Sequence, residues 1–201
     1  MTEEEKIFAG YMFDPRSREL GEIKHKAHEL CRRYNQMDEY DPARRDVIRQ
    51  MLGQVGSVFY FQGPIQFNYG SHTFIGENFF ANFNLTVMDD ARIFIGNNVC
   101  FGPNVAQERM GLDEEGRTTM AEYAHEIHIG NNVWIACNAV VLGGVHIGDN
   151  VVIGAGSVVT KDIPDGYLAF GNPCRPVRPI TEADSKKDLI LPEDREHFAY
   201  N

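Results

Sequence analysis

The chain has 201 residues, of which 43% are hydrophobic and 24% charged, with a formal net charge of −10 at pH 7. That length supports one good core, or a small domain beside an extended one. The acid excess argues against nucleic acid, which needs a basic footprint, and no apolar run approaches the roughly 20 residues that cross a bilayer.

The start, MTEEEKIFAGYMF, is acidic and lacks the basic-then-apolar order of a secretion signal. Cys31, Cys100, Cys137 and Cys174 lie far apart with no CxxC pair, and read as free thiols of a cytoplasmic protein. Residues 1–56 are expected to form an N-terminal helical region. Thr2 and Glu5 have capping-box spacing. Leu20, Ile23, Ala27, Leu30 and Tyr34 recur at the steps of an amphipathic helix. Asp41 as N-cap and Pro42 at the first helical position announce a further helix through Val47, Ile48, Met51 and Leu52, which Gly53 ends.

From Val58 the helical period disappears and β-branched and aromatic residues dominate, with recurring Asn and Gly. Reading from Ile129, six hexads follow in register: IGNNVW, IACNAV, VLGGVH, IGDNVV, IGAGSV and VTKDIP. Each begins with an aliphatic residue, the second place is small, and the fifth is mostly a small apolar residue. A looser set precedes them: IGENFF from Ile75, ANFNLT from Ala81, IGNNVC from Ile95 and FGPNVA from Phe101. A period of six fits a coil with three flat faces, one hexad to a face, in which the first residue points inward and the small second residue lets the chain turn. Stacked coils bury an axial column of Ile and Val and hydrogen-bond to one another. The chain therefore divides into the helical region, a β-helix over 57–180 with an inserted loop at about 106–128, and a charged tail over 181–201.

The stretches FNYGSHTFIGENFFANFNLTVMDD (67–90), IGNNVWI (129–135) and IGDNVVIGAGSVVTKDIPDGYLAFGNPCRPVRPI (147–180), with AGYMF (9–13) and RRYN (32–35), resemble the maltose and galactoside O-acetyltransferases among the hexapeptide-repeat acyltransferases. The resemblance covers roughly residues 5 to 180. It implies a mainly β fold, a left-handed parallel β-helix preceded by a short helical region. It also implies a homotrimer with its sites in the clefts between subunits, acetyl-CoA as co-substrate, and no metal. The implied chemistry is direct transfer: a histidine takes the acceptor's proton, the oxygen attacks the thioester carbonyl, and nearby donors stabilise the oxyanion.

Residue by residue, the resemblance places Cys137, Ala155, Thr160, Lys161, Arg175 and Arg178 along the cofactor. The three basic residues would meet phosphates, and a net-acidic protein needs such a local cluster to hold an anion. It places Asp14, Asn68, Asn82 and Asp90 at the sugar-like acceptor, where amides and carboxylates suit hydroxyl recognition. Solvated surface charge and Asn in β-helix corners are the alternative readings of these residues. Phe80 stands where some relatives carry tyrosine, and Trp134 reads as a packing residue at the cleft.

The base is the exception. The family's Thr-His-Pro segment follows the hexads ending in PNV, but here Pro103-Asn104-Val105 runs into Ala106–Met110, and no His-Pro pair occurs in the chain. Three accounts stand: the base is lost, its segment is missing between Val105 and Gln107, or another of the seven histidines replaces it, with His125 as the candidate. A trimeric acyl-CoA-binding relative without a base is the non-enzymatic alternative. A γ-class carbonic anhydrase, with zinc held by residues such as His72, His125, His128 and His146, is the rival from another enzyme class.

Overall fold

The computed structural model describes residues 1–104 and 122–185; most of the expected insertion (105–121) and of the tail (186–201) lie outside the described residues. Three helices come first. In α1 (Glu3–Phe8) the Thr2–Glu5 capping box closes in both directions, at 3.1 and 2.8 Å. The helix α2 (Arg18–Gln36) buries Leu20, Ala27, Cys31 and Tyr34 on one stripe. The third, α3 (Arg44–Met51), begins later than the sequence suggested. The Asp41 carboxylate accepts from the Ala43 amide at 2.9 Å, and the Arg44 and Arg45 amides bond three residues back to Asp41 and Pro42, so a turn occupies the expected first helical positions.

The remainder is a parallel β-helix. The first face stacks β1 (Gln54–Val55), β4 (Thr73–Ile75), β7 (Ile93–Ile95), β9 (Ile127–Ile129) and β12 (His146–Ile147). The second stacks β2 (Phe59–Phe61), β5 (Phe79–Ala81), β8 (Val99–Phe101), β10 (Trp134–Ile135), β13 (Val152–Ile153) and β15 (Tyr167–Gly171), and β16 (Cys174–Pro179) then turns back antiparallel. The third pairs β3 (Ile65–Phe67) with β6 (Leu85–Val87), and β11 (Val140–Val141) with β14 (Val158–Val159).

Register explains the period. Ile75, Ile95, Ile129 and Ile147 are successive partners on the first face. On the second, Phe61, Ala81, Phe101, Ile135, Ile153 and Ala169 are. All of these point inward and are buried. The fifth-place residues Val133, Ala139, Val145, Val151 and Ser157 are buried as well, so each hexad supplies two residues to the axis.

The helices close one end of this column. Asn35 of α2 donates to the Ile65 carbonyl at 2.9 Å and accepts the Ile65 amide at 2.8 Å, so a side chain satisfies the open edge of β3. Buried Arg44 lies over the Tyr34 ring at 4.2 Å and reaches the Gln62 carbonyl at 3.2 Å. The helices α2 and α3 thus form a cap on the first coil.

The corners correct one part of the sequence reading. The second-place glycines at 96 and 130 do not make the turn, since neither has a positive φ. Asparagines make it instead: Asn78, Asn98, Asn132 and Asn150 all adopt left-handed backbone at φ 55–56°. Their carboxamides form a ladder, with bonds of 2.9, 2.9 and 3.1 Å. What the glycines supply is room. A Cβ on Gly130 would stand 2.4 Å from Asp149 Oδ1 and 2.8 Å from the Gly148 backbone of the next coil. Gly130→Ala is therefore expected to lower unfolding stability by about 1–3 kcal/mol through overpacking. A urea titration with unchanged slope and a lower midpoint is the expected result.

Candidate active site

Seven of the ten expected site residues collect at the two corners that bound the third face; Asp14, Arg175 and Arg178 lie elsewhere. Asn82, Cys137 and Ala155 occupy the corner between the second and third faces. Backbone bonds run up this corner from coil to coil: Asn104 N to Phe83 O at 3.0 Å, Asn138 N to Pro103 O at 2.8 Å, and Gly156 N to Cys137 O at 2.9 Å. Asn68, Asp90, Thr160 and Lys161 occupy the corner between the third and first faces. Along the axis the two sets separate. Of these, the residues expected at the acceptor lie on the coils before residue 105 and those expected at the cofactor on the coils after residue 121, which gives an expected acceptor end and an expected cofactor end. Asp90 and Thr160 are three coils apart, or about 14 Å at the usual strand spacing.

At the acceptor end the structure joins Asn68 to Asp90, with the amide donating to the carboxylate at 2.9 Å. Asp14 arrives on a separate arm. Phe13 makes an antiparallel bridge with Glu122, with N–H to O distances of 3.1 and 3.2 Å, beside the emergence of the insertion. The Asp14 carboxylate is held by Arg16 at 2.9 Å, which keeps its pKa below the usual range. Asn82 accepts from the amide of its neighbour Phe83 at 2.8 Å.

Sequence reasoning missed the support beneath these residues. Asp89 is wholly buried; its two oxygens accept from the Tyr69 amide at 2.7 Å and the Thr73 hydroxyl at 2.8 Å. Burial is the leading cause that raises its pKa, to about 6. His72 is buried beside it, and its Nδ1 lies 2.9 Å from the Asp89 carbonyl and 3.0 Å from that of Asp90. The Tyr69 ring stacks on His72 at 4.6 Å; its buried hydroxyl has no hydrogen-bond partner among the described residues, and burial, with Asp90 and Glu122 near, pushes that phenol well up. The signal was present: Leu85, Val87 and Asp89 continue one period-two alternation, which puts Asp89 on the inward side.

At the cofactor end Ala155 and Lys161 are exposed, while Cys137 and Thr160 are half-buried. The β15–β16 hairpin sets Arg175 opposite Phe170 and Arg178 opposite Leu168. Arg178 is tied by both nitrogens to the Asp184 carboxylate, at 2.8 and 2.5 Å, which draws that acid well below the usual range. Arg175 donates to the Cys174 carbonyl at 2.7 Å. Trp134, half-exposed, shares an outward hollow with Phe80 and Cys100 on the second face.

The described histidines divide by environment. His128 and His146 stack at 4.6 Å and continue an outward ladder from Phe74 and Phe94 on the first face. His25 and His28 are exposed on α2. His125 is exposed at the corner between the third and first faces, one coil beyond Asp90, and Tyr123 meets its ring edge-on at 5.5 Å. Among the described residues no three His, Cys, Asp or Glu side chains converge to hold a metal ion. All four cysteines are free, and no described helix is long and apolar enough to cross a membrane.

A three-faced parallel coil of hexads with chemistry-bearing corners defines the hexapeptide-repeat transferase class, and comparison with known proteins agrees. Residues 126–161 match the bacterial transferase hexapeptide family (six repeats), and residues 6–56 match the maltose acetyltransferase hexapeptide capping motif. The galactoside O-acetyltransferase of Escherichia coli (strain K12) is 42% identical over 183 residues, covering 90% of each chain. The crystal structure of a maltose O-acetyltransferase from Clostridium difficile 630 superposes with a TM-score of 0.88 at 40% identity, covering 90% of this chain and 99% of that one. A galactoside acetyltransferase in complex with coenzyme A gives 0.87 at 39% identity, covering 100% and 96%. The chain belongs to the maltose and galactoside O-acetyltransferase family, a family of acetyl-CoA-dependent enzymes.

Proposed function

We propose that this protein transfers the acetyl group of acetyl-CoA to a hydroxyl of a sugar, with maltose-like and galactoside-like acceptors as the substrate class. The observation that carries the reading is the division of the third face. The hydroxyl-binding pair Asn68–Asp90, joined at 2.9 Å, stands on early coils. Ala155, Thr160, Lys161 and the arginine-bearing hairpin stand on late ones. An extended thioester donor lying along that face would bring its acetyl end toward the acceptor pair, and Lys161 and Arg175 suit the phosphates at its other end. The coenzyme A complex of the galactoside acetyltransferase supports the donor.

The acceptor hydroxyl must lose a proton as it attacks. We assign this to His125, which is exposed at the same corner as Asp90, whereas His72 is engaged on both nitrogens and His128 and His146 are stacked on another face. The reading includes a homotrimer, in which a neighbour would complete the cleft. The second reading, a trimer that binds acyl-CoA without turnover, rests on the missing His-Pro segment.

Thiol release from acetyl-CoA, followed across a panel of sugars, separates the two. Acceptor-dependent release supports transfer, and binding of acetyl-CoA with no release across the panel supports the second reading. Asp90→Asn is expected to raise the acceptor KM about tenfold or more, since a bond to a charged group contributes about 1.5–3 kcal/mol. The acetyl-CoA KM should stay near that of the unaltered protein.

A further inference from the structure

We infer that His72 is a positioning residue for acceptor binding: it clamps the Asp89–Asp90 turn and ties it to the N-terminal helix. This deepens the acceptor-site reading above and rests on it. The two carbonyl oxygens at Nδ1, of Asp89 and Asp90 at 2.9 and 3.0 Å, can only accept, so Nδ1 donates to both. The opposite nitrogen, Nε2, meets Glu4 Oε1 of α1 at 3.0 Å. The ring is held on two further sides, by Tyr69 stacked at 4.6 Å and by Phe8 edge-on at 4.8 Å. Its own carbonyl accepts the Ile93 amide at 2.9 Å, so its backbone is joined to the strand that follows the turn.

Two consequences reach the acceptor. First, the peptide groups on either side of the Asp90 Cα are fixed, which aims its carboxylate at Asn68 rather than leaving a surface turn to wander. Second, α1 is latched to the same turn. The chain leaving α1 runs directly to the Phe13–Glu122 bridge and to Asp14. Arg92, just past the turn, lies 3.9 Å over the Phe8 ring and reinforces the same contact. One buried imidazole therefore sets the relative placement of Asp90 and of the arm bearing Asp14, the two carboxylates expected to meet the acceptor. It touches neither acceptor nor cofactor, so its effect should fall on acceptor affinity and leave the chemical step alone.

The two nitrogens can be separated by substitution. In His72→Asn an amide NH2 can stand near the place of Nδ1 and keep the hold on the carbonyls. In His72→Gln the longer side chain reaches toward Glu4 and gives up the carbonyls, and His72→Leu abandons both. Steady-state kinetics with acetyl-CoA and whichever of maltose and methyl β-galactoside is acetylated would be measured for all three, beside Asp90→Asn. The expected result for His72→Leu is an acceptor KM raised about tenfold or more, with kcat and the acetyl-CoA KM little changed. His72→Asn should recover most of that loss and His72→Gln less. An unchanged acceptor KM in folded His72→Leu, while Asp90→Asn raises it, overturns the inference alone. A uniform fall in kcat and both affinities, following a lowered melting temperature, also overturns it, because a purely structural role predicts that pattern. If His72→Leu does not fold, the ranking of His72→Asn above His72→Gln carries the test. If Asp90→Asn leaves the acceptor KM unchanged, the acceptor-site reading fails and this inference falls with it.

Discussion

His125→Ala is expected to lower acceptor-dependent turnover by about 10²–10⁴-fold, the usual contribution of a positioned general base. The expectation comes from what the other described histidines are doing. His72 is buried and spends both nitrogens on Glu4 and the Asp89–Asp90 carbonyls. His128 faces outward between Phe94 and His146, with Glu126 at 3.2 Å from its Nε2. Among the described histidines, only His125 stands exposed at the corner that also carries Asp90, beside the start of the strand that follows the insertion. His128→Ala is the control and should leave turnover within a factor of about two, since it acts on a different face and surface substitutions are usually mild. Acetyl-CoA binding should survive in both variants. If His125→Ala retains full turnover, the base is not this histidine. Residues 105–121 contain no histidine, so attention would pass to carboxylates such as Glu108 and Asp113.

The repeats were the most legible part of the fold. Position-one residues from Ile129 to Val159 are expected to point inward, and all are buried, because a strict spacing of six with an aliphatic at each start hides them in a three-faced coil. The helix after Asp41 was legible in kind but not in start, since Pro42 suits the opening of a turn as well as that of a helix. The glycines were misread in role. Sequence shows that a position must be small, but not whether the reason is backbone freedom or the close approach of a neighbouring coil; only φ and the distance to the next carbonyl separate these. At the candidate site, the exposed residues could be proposed one by one because motifs point to them. The layer beneath could not, because the partners of His72 lie 17, 18 and 68 residues away and no local pattern announces them. Asp89 was overlooked for Asp90 although the alternation points to it. In a dyad of like residues the motif draws attention to the one it matches, and burial decides the other.

That buried partner carries the largest stability effect expected at the site. Asp89→Ala would leave the Tyr69 amide and the Thr73 hydroxyl buried without an acceptor, at a cost of about 1–3 kcal/mol each. A loss of about 3 kcal/mol, read as the shift in a urea midpoint, is the expected result. Asp89→Asn should behave differently, because the amide oxygen still accepts from Tyr69 and the Thr73 hydroxyl can rotate to accept from the new NH2. The contrast with the wild type then depends on pH. Burial raises the Asp89 pKa to about 6 in the fold, against the pull of the Tyr69 and Thr73 bonds and of His72. An unfolded aspartate titrates near 3.9, so the fold favours the protonated acid. Its contribution to stability is full below about pH 4 and is lost as pH rises through about 6. Asp89→Asn has no such proton to lose. Its stability relative to the wild type should therefore rise between pH 4 and pH 8, by about 2 kcal/mol for pKa values near 3.9 unfolded and about 6 folded. Paired melting curves at the two pH values would read this difference directly. The opposite slope, with the asparagine variant losing ground as pH rises, would mean that attraction between the Asp89 carboxylate and a charged His72 ring outweighs burial. The clamp on the acceptor turn would then be held by charge as well as by hydrogen bonds.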